Sequence, residues 1–122
     1  MRSKCVLAFV ALFLLGTVSA QAAVLRVVAV ETSDAAAYVK ALEQGKAMMM
    51  SKGIAGTIRV WRARFAGDKA GAVVVGIEYA SLGELAKADA AMSSDADLRT
   101  WLAGLSKVRK IVSDSIYEEL NP

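Results

Sequence analysis

The sequence predicts an α+β fold: a ferredoxin-like β-α-β-β-α-β antiparallel sheet with both helices on one face and the second helix broken in two. Three observations carry this. Four strand-like runs alternate with two helical stretches in that order. A loop with glycine at each end, Gly67-Asp68-Lys69-Ala70-Gly71, joins the middle strands as a hairpin. Each helical stretch opens on a good capping residue.

The β-branched run 24–31 is the first strand. Thr32-Ser33-Asp34 is an N-cap cluster, and residues 35–52 form the first helix, with Tyr38, Val39, Leu42 and Met49 at helical spacing. Gly53 stands where a left-handed stop is wanted. Gly45 inside the helix costs about 1 kcal/mol relative to alanine, and so marks a kink or a close approach to a sheet. Residues 57–66 and 72–79 are the hairpin strands. Trp61, Ala63 and Phe65 alternate with Arg62 and Arg64, while Val73, Val75, Ile77 and Tyr79 alternate with Val74, Gly76 and Glu78. The expected register puts the two apolar sets on one face and Arg62, Arg64 and Glu78 together on the other. Val24, Val28, Val30, Ile58, Val60 and Val74 then make an opposite face that is apolar and bare in a single protomer.

Ser81-Leu82-Gly83-Glu84 is a capping box, and the second helix runs from it to about residue 92. Ser93-Ser94-Asp95 interrupts it. Residues 96–106 form the second piece, with Leu98, Trp101, Leu102 and Leu105 as its apolar stripe. Residues 108–120 return to a strand pattern.

Ahead of this domain, residues 1–22 read as a secretory signal peptide. Arg2 and Lys4 precede an uncharged apolar run, and small residues place the cleavage site after Ala20 or Ala22. The alternative is an uncleaved anchor, since residues 5–25 carry no charge. The short apolar core and the small, polar residues 16–23 favour cleavage, which leaves a single domain, 23–122, in the periplasm or the medium and off the membrane.

Cleavage also narrows the chemistry. The lone cysteine, Cys5, leaves with the signal, and the chain has no histidine. A serine–histidine nucleophile is ruled out, no cofactor or metal set is apparent, and no disulfide can form in the mature chain. Without Arg2 and Lys4, thirteen basic residues face twelve acidic ones, a net of +1, so nucleic acid is not an expected partner. Met48-Met49-Met50 does not make a copper site, because consecutive helical side chains point about 100° apart.

The chain resembles the dimeric α/β-barrel superfamily, which includes antibiotic-biosynthesis monooxygenase-like proteins. The resemblance spans 24–120 and rests on Arg-Val-Trp-Arg-Ala-Arg-Phe-Ala-Gly at 59–67, Val-Val-Val-Gly-Ile-Glu-Tyr at 73–79 with Ser81-Leu82 after it, and Val-Ser-Asp-Ser-Ile-Tyr at 112–117. It implies a homodimer in which two sheets pack face to face into a barrel. The superfamily's haem-binding branches use a histidine that this chain lacks, whereas its cofactor-independent monooxygenases use Trp, Tyr and Arg, types that Trp61, Tyr38 and Arg62 supply.

Arg62, Arg64 and Glu78 are the candidate ligand site, with Tyr38 as a further member. An arginine there could hold a carboxylate or phenolate by paired hydrogen bonds. The simpler structural reading is an ion-pair set that pins strand register or the dimer interface. The function expected is an exported homodimer that binds a small aromatic or anionic molecule in its barrel cavity. The alternatives are a cofactor-independent monooxygenase or isomerase acting on an aromatic substrate, and a purely structural interaction module. Whether the protein is an enzyme is left open.

Overall fold

The computed structural model describes residues 22–64 and 67–121. The signal-peptide reading of residues 1–22 therefore falls almost wholly outside the described residues, as does Phe65 of the hairpin.

The chain runs β1 (Val24–Glu31), α1 (Ala35–Ser51), β2 (Thr57–Arg62), a 3-10 turn (Gly67–Lys69), β3 (Val73–Tyr79), α2 (Leu82–Ser94), α3 (Ala96–Leu105) and β4 (Lys110–Glu118). The four strands form one antiparallel sheet in the order β2-β3-β1-β4, with α1, α2 and α3 packed over one face. The expected α+β sheet is thus present.

The helix boundaries follow from local chemistry. The Asp34 side chain accepts the Ala37 N–H at 3.0 Å and starts α1. At the other end Gly53, with φ +68°, turns the chain, and the Ile54 and Gly53 amides donate to the Met49 and Met50 carbonyls. That pairing is a Schellman stop, which satisfies carbonyls the helix leaves orphaned. Ser81 caps α2 through the Glu84 N–H at 3.2 Å. Asp95 serves both later helices. Its extended backbone (φ −89°, ψ 122°) ends α2, and its carboxylate accepts the Leu98 N–H at 3.0 Å to begin α3. Lys52 Nζ lies 2.8 Å from Asp95 Oδ2, so the end of α1 is tied to this joint.

Register corrects one expectation. Residues directly opposite on neighbouring strands share a face. Val24, Val28 and Val30 oppose Tyr79, Val75 and Val73, while Ile58 and Val60 oppose Ile77 and Val75. All of these lie under the helices, in two buried clusters whose helical partners include Tyr38, Leu42, Leu98 and Leu85. Trp61 opposes Val74 and lies on the open face. The hairpin sequence misleads because β2 carries apolar side chains on both faces: Ile58 and Val60 on one, Trp61 on the other. The longer apolar set on β3, from Val73 to Tyr79, decides which face the helices cover.

The open face bears Leu25, Val27, Trp61, Val74 and Tyr117 alongside Arg59 and Glu78. Its bare, partly apolar character is as expected, but its membership is different. Trp61 lies flat across Gly76: a Cβ built there would meet the indole at 2.6 Å. Gly45 has an analogous role within the helix layer. The Trp101 ring of α3 fills the space its missing side chain leaves, and Trp101 Nε1 donates to the Ala41 carbonyl at 2.8 Å. The close approach at Gly45 is therefore to a helix and not to a sheet.

Candidate functional site

The helix layer does not reach across β4. Ile111 and Ile116, on the helix side of that strand, remain 49% and 54% exposed. A cavity of about 340 Å³ opens beneath the helices here, within the size range of small-molecule sites. Val28 and Val75 of the sheet and Leu42, Met49 and Leu105 of the helices give it apolar walls. Its polar groups are Arg26, Tyr79, Asp89, Ser93, Arg109 and Asp114.

Arg26 is in phase with Val24, Val28 and Val30, so β1 delivers a charge onto the face it otherwise buries. Three of the guanidinium's five donors are engaged, by two carboxylates. Nε and Nη2 donate to the two oxygens of Asp114 on β4 at 3.0 and 2.7 Å, and Nη1 donates to Asp89 on α2 at 3.3 Å. This bidentate pairing spans the mouth between α2 and β4. Arg26's hydrogen bonds and charge, with Arg109 contributing, hold the Asp114 carboxyl below the usual aspartate range against the opposing effect of burial. The sign follows. A depressed folded-state value stabilises the fold above the unfolded value, and that contribution is lost as pH falls through the folded one. The stability difference between wild type and Arg26→Met is accordingly expected to be constant from neutral pH to about pH 5 and to shrink below about pH 4. Urea unfolding across that range measures it. A difference that does not change down to the acid end would mean that the pair adds nothing to stability.

Arg109, in the turn before β4, is differently placed. Its Nη1 donates to the Tyr38 hydroxyl at 3.0 Å, and its guanidinium carbon lies 5.8 Å from that ring's centroid. Among the described residues it makes no other side-chain hydrogen bond and no ion pair. A guanidinium has five donors, so four stay available at the cavity wall. Tyr38 itself is wholly buried. It is fixed by the core and in turn aims Arg109.

The four residues expected to share a site are not brought together. Tyr38 is on the buried side of α1, behind Arg109. Arg62 ends β2 on the helix side, and Glu78 lies on the open face opposite Leu25 and Thr57. Arg64 is exposed beyond the end of β2. Arg62 and Glu78 thus point to opposite sides of the sheet, which follows from the corrected register. The three methionines also diverge: Met49 is buried in the core, while Met50 is 72% exposed. Sequence reasoning misses Arg26, Asp89, Arg109 and Asp114, and it places Tyr79 in the apolar set of its strand. One signal was available, a charge at position 26 in phase with three valines.

Fold and cavity together define a class: an α+β protein with a ferredoxin-like sheet and a pocket between its sheet and its helices. Among solved structures, the chain is similar to a NIPSNAP family protein from Agrobacterium tumefaciens strain C58. The TM-score is 0.62 at 16% identity, over 84% of this chain and 87% of that one, a likeness of fold. No family model matches the chain, and no curated protein matches it either.

Proposed function

We propose that this is an exported homodimeric protein that binds a small, largely apolar or aromatic molecule carrying an anionic group. The ligand's body occupies the cavity between helices and sheet, and its carboxylate or phenolate lies on Arg109. The observation that carries this reading is Arg109 itself: a guanidinium at the wall of an apolar cavity, aimed by a buried tyrosine, with donors to spare. Arg26 is less suited to that part, because its charge is already met by two carboxylates, Asp114 and Asp89, through three of its donors. The pocket lies inside one protomer, so ligand binding does not require the space between two sheets. Dimerisation is supported by the open face, where Leu25, Trp61 and Tyr117 are 36%, 48% and 57% exposed. Export is supported by the charge, apolar run and small residues of the first 22 positions.

Native mass spectrometry of the protein purified from its own cells reads signal removal, oligomeric state and any retained ligand together. Titration with 2-naphthoate then tests the anchor. Wild type is expected to bind it, and Arg109→Leu to bind it about tenfold to a hundredfold more weakly, as loss of a charge-assisted hydrogen bond requires. Equal binding by the two proteins would defeat the reading.

A further inference from the structure

The same cavity has a second polar feature, at the end away from Arg109. Tyr79 closes β3, directly across from Val24 at the start of β1. Arg109 is beside Tyr38 in the first turns of α1, close to where Glu31 at the end of β1 meets Lys110. Six or seven residues of β1 at about 3.3 Å each put roughly 20 Å of backbone between these ends, and the two side chains reach inwards from them. Between them Val28, Val75 and Met49 form an apolar wall, with the Arg26–Asp114 pair on the β4 side.

Tyr79 is 2% exposed, and its side chain lines the cavity. A tyrosine so buried normally finds a partner for its hydroxyl. Among the described residues this one has none: Asp89 and Arg26 act on it only through space. The oxygen is not sealed in the protein either, since it is not among fully buried polar atoms lacking a partner. It retains accessible surface, and the residue that carries it lines the cavity. Burial pushes the phenol above its usual range, with Asp89 adding to this and Arg26 opposing it, so the group remains a donor at neutral pH.

We propose that the Tyr79 hydroxyl is a second ligand anchor, donating a hydrogen bond to a carbonyl oxygen at the far end of an elongated molecule whose anionic group lies on Arg109. This rests on the binding reading above and adds the ligand class: an extended apolar acid with a carbonyl remote from its carboxylate. Either anchor alone would accept many hydrophobic acids. Both together select for length and for the distal oxygen, because a ligand lacking it leaves a buried donor unpaired.

Two probes of nearly equal shape separate the anchors. 4′-Acetylbiphenyl-4-carboxylate and 4′-ethylbiphenyl-4-carboxylate share the acid and the apolar body, and only the first has the carbonyl. Calorimetry on the full protein is expected to show wild type preferring the acetyl compound by about twofold to tenfold, the worth of one neutral hydrogen bond. Tyr79→Phe should bring that ratio to one and leave affinity for the ethyl compound unchanged. Arg109→Leu should weaken both compounds alike. Tyr79→Phe removes only an oxygen without a partner among the described residues, so the variant folds as wild type does. A wild type that binds both equally, or a preference that survives Tyr79→Phe, overturns the second anchor while the Arg109 reading stands. Binding of neither probe to wild type overturns both.

Discussion

Leu98→Ala is expected to remove about 2–5 kcal/mol of stability, the usual range for a leucine deleted from a packed core. Leu98 has no exposed surface and lies in the first turn of α3, where it joins Val28, Tyr38 and Leu42 in the main buried cluster. The Asp95 cap bonds the Leu98 backbone, so the substitution leaves that bond in place and tests packing alone. Leu102, one turn further on, is the useful comparison. It is half-buried and borders the cavity, so its methyl groups already lack partners on one side. Leu102→Ala should therefore cost clearly less. Urea midpoints for the two variants check the order, and equal losses would mean that the cavity walls are packed as tightly as the core.

Gly45→Ala is expected to destabilise by about 1–3 kcal/mol, although alanine is the better helix former by about 1 kcal/mol. The added methyl group would overlap the Trp101 ring, which lies directly on Gly45. The indole is rigid, so it must swing away as a unit and break its hydrogen bond to Ala41. It has somewhere to go, because Trp101 also borders the cavity. The same variant should then lose affinity for 2-naphthoate as the ring takes up ligand space. Combining it with Trp101→Leu is expected to recover part of the loss, a coupling that a double-mutant cycle reads directly. A Gly45→Ala protein more stable than wild type would show that helix propensity outweighs the contact.

Most of the fold was legible because its punctuation is local. Asp34 and Ser81 each cap the helix they are expected to cap, Asp95 begins the second piece at the expected break, and Gly53 ends the first helix. These residues act on backbone groups within a few positions, so sequence alone reports them. Face assignment in the hairpin needed more. The expected register puts Trp61 on the face of Val73 and Val75, but strand alternation says only which residues share a side, and β2 is apolar on both. The choice is made outside β2, by the apolar set of its partner β3 and the helices that cover it.

The site was less legible for the same reason. Arg26 and Asp114 are 88 positions apart and meet only through the β1–β4 pairing. Arg109 lies in a turn, where no periodicity marks it. Tyr38 was singled out from residue type, and its hydroxyl does bear on the cavity, though through Arg109. Arg62, Arg64 and Glu78 were grouped by an alternation that the register divides.

The placing of the two tryptophans on glycines has a practical consequence. Trp61 and Trp101 are the chain's entire complement of indoles, and the sheet lies between them. Trp61 is seated on Gly76 on the open face, and Trp101 on Gly45 in the helix layer. Each is therefore a built-in optical probe of one side. Replacing Trp61 by phenylalanine leaves an emission that follows the cavity and its contents. Replacing Trp101 instead leaves one that follows whatever covers the sheet. Filling of the cavity and covering of the open face would thus give separate spectroscopic signals within one small domain, with no label attached.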